Sequence, residues 1–286
     1  MKNIGFRIIG ALLLVLLAGC SALQTGYNNA PSLLYWWLDG YVDFNGEQAD
    51  PVRESLLSLQ AWHRREELPA YAALLQRLQQ DGAQDLTPAQ ACAHLGQVRG
   101  HLQRLGMQSA MTLAPLVPTL QPEQLRHLAR QLEKHDRKWR EEWLDGSPEE
   151  LLQRRLKRTV SRYEDFYGRL SEAQRALLRQ RLLEVGFDAR LAWAERQRRQ
   201  RDLLRVLQEH RQGDRPAHVE AELLAWVQRS FEPPDPAVRA YLGQLFDQGC
   251  QTLATLHNSS SPGQRRRLVD KLQGYETDLR ALAAAR

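Results

Sequence analysis

Five short segments of this 286-residue chain open with a polar residue and carry glutamine or glutamate three positions later. They are Thr87-Pro88-Ala89-Gln90, Gln121-Pro122-Glu123-Gln124, Ser147-Pro148-Glu149-Glu150, Ser171-Glu172-Ala173-Gln174 and Ser261-Pro262-Gly263-Gln264. A side chain at the N-cap accepts from the amide of the third helical residue, whose own side chain reaches back to the N-cap amide. Proline at the first helical position, present in four of the five, gives up only a donor that has no helical partner there. The pattern is therefore a set of helix starts. With Asp50-Pro51, Arg215-Pro216 and Asp235-Pro236 added, it divides the chain into about ten helices.

The segments between these starts suit helix. Leucine, alanine, glutamine, glutamate and arginine dominate them, and no long stretch alternates with period two. Leu56, Leu59, Trp62 and His63 fall at helical spacing, as do Leu125, Leu128, Ala129 and Leu132, giving each run one apolar stripe. The predicted helices cover 31–42, 51–80 with a bend near Pro69, 88–105, 122–144, 148–169, 172–184, 188–212, 217–230, 237–257 and 262–284. A short apolar helix is expected between Gln108 and Val117. Connections are short, so the expected fold is all-α, an irregular array of antiparallel helical hairpins. Irregular spacing of the starts argues against a tandem repeat. The main break is Gly213-Asp214-Arg215-Pro216, which separates a helical domain at 31–213 from a C-terminal segment at 214–286, in the same domain or a second one. A further break is Glu232-Pro233-Pro234-Asp235-Pro236.

The first nineteen residues read differently. Lys2 and Arg7 precede an apolar run from Ile8 to Leu17, the pattern of a secretory signal, and the run is too short to span a bilayer comfortably. Leu17-Ala18-Gly19-Cys20 follows and resembles the lipobox of bacterial lipoproteins. That resemblance implies cleavage after residue 19, acylation of Cys20, and a tether over 20–30. Each buried methylene of the acyl chains contributes about 0.8 kcal/mol, so several chains make a lasting anchor. Ser21, where an aspartate marks inner-membrane retention in such lipoproteins, implies the outer membrane and its periplasmic face.

Of 39 basic and 34 acidic residues, Lys2 and Arg7 leave with the leader, so the mature excess is small. Arg196-Gln197-Arg198-Arg199-Gln200-Arg201 and Arg265-Arg266-Arg267 would read as nucleic-acid contacts in a cytoplasmic chain, but export removes that partner. They are expected to be arginine faces paired with nearby glutamates, or contacts to anionic head groups. Cys92 and Cys250 are the remaining cysteines; in an oxidising compartment they form a disulfide or remain two buried thiols, which sequence alone leaves open.

No recognised catalytic or metal-binding motif occurs. His94 and His101 lie seven apart on one predicted helix, about 10 Å along its axis, too far to share one metal without help. His127 and His135 meet the same objection. No cofactor or metal is expected. His63 is the weak catalytic candidate, with Glu67 beside it, because Trp62, Arg64, Glu66 and Tyr71 lie within two turns and such a cluster can tune an imidazole. The plainer account makes Trp62 a core anchor and His63 and Glu67 helix-surface partners ahead of the Pro69 kink. The adjacent pairs Glu141-Glu142 and Glu149-Glu150 point about 100° apart on a helix and do not share a site. Tyr35, Trp36, Trp37 and Tyr41, with Trp62 and Tyr71, form the candidate partner or membrane surface; burial against the following helix is the preferred account of the first group.

Two further resemblances carry the reading. Tyr27-Asn28-Asn29-Ala30, Tyr35-Trp36-Trp37-Leu38-Asp39-Gly40-Tyr41, the stretch from Trp62 to Tyr71, and Gly168-Arg169-Leu170-Ser171-Glu172-Ala173-Gln174 resemble a family of uncharacterised proteobacterial, Pseudomonas-type lipoproteins. That family has no assigned activity. Leu86-Thr87-Pro88-Ala89-Gln90, with Leu120-Gln121-Pro122-Glu123-Gln124 and Leu170-Ser171-Glu172-Ala173-Gln174 as partial matches, resembles the motif of small periplasmic chaperones. The leading expectation is a non-enzymatic, membrane-anchored protein binding a periplasmic or envelope component. A chaperone-like binder of unfolded exported chains and an envelope hydrolase using His63 are its rivals.

Overall fold

A computed structural model describes residues 23–211 and 215–285. The leader, Cys20 and two residues of the expected break, Gly213 and Asp214, lie outside the described residues. Among the described residues the fold is all-α, with eleven α-helices and no strand. They are α1 (Ala30–Val42), α2 (Gly46–Trp62), α3 (Leu68–Gly82), α4 (Pro88–Leu113), α5 (Pro122–Trp143), α6 (Pro148–Tyr167), α7 (Glu172–Glu184), α8 (Ala189–Glu209), α9 (Pro216–Phe231), α10 (Pro236–Asn258) and α11 (Pro262–Ala284). No helix among the described residues is long and apolar enough to cross a membrane.

The helix starts follow from their caps. Thr87, Ser147, Ser171 and Ser261 each accept from the amide three residues on, and each receives the returning glutamine or glutamate. At Gln121 the return arm from Gln124 is in place at 2.8 Å. α2 departs from expectation. It starts five residues before Pro51, on a sixth capping box in which Asn45 accepts from Gln48 N at 3.0 Å and Gln48 reaches back at 3.1 Å. Pro51 therefore sits inside the helix. α4 also runs on to Leu113 before a 3₁₀ segment over Ala114–Thr119, so the separate helix expected from Gln108 to Val117 does not exist.

Two pairs of these returning glutamines meet across the fold. Gln48 and Gln124 exchange side-chain amide bonds at 3.1 and 2.7 Å, and Gln174 and Gln264 do the same at 3.0 and 3.1 Å. One amide thus satisfies its own helix start and a second start 76 or 90 residues away. A local cap becomes a tertiary clasp, because a glutamine has one acceptor and two donors to share.

Between α2 and α3 the backbone widens into a π-turn over His63–Glu67. Pro69 has no N–H to give the carbonyl four residues back and its ring would press on it, and the wider turn relieves both. The expected bend at Pro69 thus takes the form of a π-turn just upstream.

The C-terminal helix α11 lies along α3, α9 and α10 both pack on α4, and α9 also packs on α8. The described part of the C-terminal segment, α9 to α11, therefore shares its packing with the earlier helices. One core gathers Val117, Leu128, Val206, Val219 and Val227, and another gathers Val160, Tyr167, Leu178, Leu256 and Leu272. The arginine clusters fold inward or pair locally. Arg196, with Gln197 and Gln200, converges on the buried Asp136, and Arg198 takes Glu195.

Candidate functional site

The rotation of an α-helix divides the aromatic group. Tyr35 turns into the core, 9% exposed, against Val52 and Leu56 with the Arg53 guanidinium 4.2 Å from its ring centre. Residues one and two positions on point about 100° and 200° away. Trp36 and Trp37 accordingly stand in solvent at 75% and 59% exposure, beside exposed Leu33 and Leu34. The expected burial therefore holds for Tyr35 and fails for both tryptophans. Tyr41 stacks on His135 with ring centres 5.2 Å apart.

His63 is absorbed by packing. Its Nδ1 lies 3.0 Å from the Tyr27 hydroxyl, and its ring sits among Tyr27, Trp62 and Tyr71. Burial lowers its pKa below the ordinary histidine value, and the Glu67 charge offsets this only in part. Next to it Gln60 binds the Tyr27 carbonyl, and Arg64 reaches Asn28 Oδ1 at 2.8 Å and the Leu282 carbonyl at 2.9 Å. These contacts fasten the segment before α1 and the end of α11 to the π-turn.

Glu67 is the centre of that region rather than a surface residue, at 1% exposure. The widened turn aims it at α4, where His101 Nδ1 lies 2.7 Å from one oxygen and Arg104 Nε donates to the other at 2.8 Å. Burial acts to raise the carboxyl, but the hydrogen bonds and charges of Arg104 and His101 together outweigh it and hold Glu67 below the usual carboxylate range. Burial, with the Glu67 charge, pushes Tyr71 up to about 12. Both carboxylate oxygens are occupied.

A second histidine–carboxylate pair stands elsewhere along the same helix and is finished differently. His94 Nε2 lies 2.6 Å from Asp81 Oδ2 at the end of α3. A carboxylate only accepts, so Nε2 carries a proton. His94 is 7% exposed, and its Nδ1 has no partner among the described residues. His94 and Asp81 line an apolar cavity of about 520 Å³. Its walls are Leu78 and Gly82 of α3, Leu95 and Val98 of α4, Tyr163, Phe166 and Tyr167 of α6, Leu253 and His257 of α10, and Leu268 and Leu272 of α11. Gly82 suits the close approach of α11, since a Cβ there would meet Leu268 Cδ2 at 3.2 Å and the leucine would have to shift by a few tenths of an ångström.

The walls are braced. Cys92 and Cys250 are joined as a disulfide with Cα atoms 5.1 Å apart, tying α4 to α10 across 158 residues. Asn258 receives the Leu86 amide at 2.8 Å and donates to its carbonyl at 3.0 Å. His257 donates from Nε2 to the Gln84 carbonyl at 2.7 Å, so its Nδ1 accepts from the Tyr167 hydroxyl at 2.9 Å. Burial lowers the His257 pKa and pushes the Tyr163 phenol up to about 12, keeping both neutral. Arg162 stands exposed on the cavity wall and makes no ion pair with a described residue.

The structure keeps the His63 group together and sets it apart from the cavity. His63, Glu67, Trp62 and Tyr71 come together with Tyr27, His101 and Arg104, none of them on the wall of this cavity. His94 and His101 take different carboxylates, and no group of three metal-ligating side chains occurs among the described residues. Asp81 was missed as a partner. Its signal is a histidine set among Cys92, Leu95 and Val98.

The class that fold and site define is an all-α array of helical hairpins holding an interhelical apolar cavity. The chain belongs to a family of unknown function (DUF6279), which matches residues 40–230. Neither a curated protein nor a solved structure matches it.

Proposed function

We propose that the chain is an outer-membrane lipoprotein, anchored through Cys20 on the periplasmic side, that binds an apolar envelope component and catalyses no reaction. What supports binding is the cavity between α3, α4, α6, α10 and α11. Its size falls in the roughly 300–1,000 Å³ range of small-molecule sites, and apolar walls with a few convergent polar groups are what such sites use. What favours binding over turnover is the fate of His63, the strongest candidate base in the sequence, which is taken up by Tyr27 and neighbouring rings. The anchor reading gains support from α1. Leu33, Leu34, Trp36 and Trp37 are exposed near the proposed tether, and aromatic and aliphatic side chains of this kind settle at the head-group boundary.

Two measurements test this. Labelled palmitate enters the wild-type chain in cells and fails to enter Cys20→Ser; equal labelling ends the anchor reading. Lipid extracted from the purified full chain is present in wild type and lost in Leu253→Trp, which fills the cavity. Equal lipid in both ends the binding reading.

A further inference from the structure

We infer that α1 is a second membrane contact beside the anchor: it lies along the head-group boundary with Leu33, Trp36 and Trp37 inserted, and Lys134 and Lys138 of α5 meet the phosphates of anionic lipid there. This rests on the reading that Cys20 is acylated. α1 is apolar on both sides. Tyr35 faces the core, while Leu33, Leu34, Trp36 and Trp37 are exposed at 54%, 41%, 75% and 59%. At about 100° per residue, Leu33, Trp36, Trp37 and Gly40 fall within one arc of the helix. The only charged side chain from Ala30 to Val42 is Asp39, and its Oδ1 already accepts from the Phe44 amide at 2.9 Å. A helix facing water carries charged and polar residues on its outer side, and this one carries tryptophan and leucine there.

Two observations say what covers that face. The first is where the chain enters it. Cys20 precedes the first described residue, Leu23, by three positions, a stretch that reaches at most about 11 Å. From there the Tyr27 hydroxyl meets His63 at 3.0 Å, Arg64 holds Asn28 at 2.8 Å, and Leu33 N donates to the Asn29 carbonyl at 3.0 Å, so the route into α1 is fixed. An acylated Cys20 therefore keeps lipid at a high effective concentration beside α1, ahead of a second copy or a free partner. The second is charge. α5 packs on the end of α1, with His127 Nε2 3.2 Å from the Gly40 carbonyl and His135 stacked on Tyr41. Lys134 and Lys138 follow His127 on the same row of α5, both exposed and neither ion-paired with a described residue. Glu133, on another side of α5, is taken by Arg137 at 3.3 Å. An apolar, tryptophan-bearing face bordered by free lysines is what an anionic bilayer surface binds.

The test uses the full chain purified from membranes and reconstituted in vesicles of phosphatidylethanolamine with phosphatidylglycerol, or with phosphatidylcholine in its place. A share of the phospholipid is brominated in the upper part of its acyl chains. Flotation reads the anchor, and tryptophan quenching reads α1. Wild type floats, and its fluorescence is quenched more strongly with phosphatidylglycerol than with phosphatidylcholine. Trp36→Ser with Trp37→Ser still floats, keeps its helix content and loses most of the quenching; Trp36→Ser alone loses part of it. Lys134→Gln with Lys138→Gln lowers quenching in the anionic vesicles at least roughly twofold and leaves it unchanged in the others. Floating protein that is not quenched, or is quenched equally in wild type and the double tryptophan variant, overturns the α1 contact and leaves the anchor standing. Blue-shifted emission from Trp36 and Trp37 without quenching does the same, since it marks a second copy or another protein on that face. Equal quenching in the two vesicle types overturns the lysine assignment. Wild type that does not float overturns the anchor and the α1 contact together.

Discussion

Helix α4 carries two histidines seven residues apart, and each faces a carboxylate from the neighbouring stretch of chain, yet the two pairs differ in how they are completed. At His101 every polar atom of Glu67 has a partner, the carboxylate is buried, and Arg104 balances its charge. At His94 the carboxylate is partly exposed, one ring nitrogen is unpaired, and the pair borders an apolar cavity. A completed buried network holds a structure together, whereas a buried nitrogen without a partner carries a desolvation cost. The same side-chain chemistry is therefore completed near the π-turn and left open beside the cavity.

The largest expected effect falls on the first pair. Glu67→Ala leaves the buried His101 without its partner, opens a void at a fully buried site and releases Arg104 to solvent, at a cost of about 2–4 kcal/mol read from denaturant unfolding. Loss below about 1 kcal/mol would erase the contrast. Next comes the cavity brace. Replacing both Cys92 and Cys250 by alanine should lower stability by about 2–4 kcal/mol, because the bond joins two of the walls.

Acid sharpens the comparison further. His63 and His257 have pKa values lowered by burial, so they contribute stability fully above their unfolded value of 6.5 and lose it as pH falls through the lower folded values. Glu67 is likewise held low, and its contribution is full above 4.5 and lost on further acidification. The signs agree. Melting temperature should be flat near pH 8 and fall steadily below pH about 6.5; a rise on acidification would contradict the assigned protonation states. His63→Phe should cost about 1 kcal/mol, one hydrogen bond from Tyr27. The smallest effect is at the cavity. His94→Leu should change unfolding free energy by less than about 1 kcal/mol, since the lost bond to the partly exposed Asp81 is offset by replacing an unsatisfied nitrogen with an apolar group.

Helix boundaries were legible where the instruction is local. A serine or threonine followed three residues later by glutamine or glutamate carries both halves of its cap in four residues, and those starts stand where the sequence places them. Asn45 was hidden because Pro51 offered a competing start five residues into the helix, and proline marks a helix beginning more often than it tolerates an interior. The glutamine clasps were not legible at all. Nothing in Gln48 or Gln174 names the residue 76 or 90 positions away that meets it. The same holds for the candidate site, since Asp81 and His94 belong to different helices and the cavity needs five helices to exist. His63 drew attention because its neighbours in sequence are reactive types, but on a helix those neighbours also supply the rings and charges that pack it away.

The account turns on the different roles of His94 and His101. Unfolding free energy, compared between His94→Leu and His101→Leu, tests this most directly. His101→Leu should melt clearly earlier than wild type, and His94→Leu should melt almost as wild type does. If the two variants lose stability in parallel, the division between a completed pair and an open one is wrong.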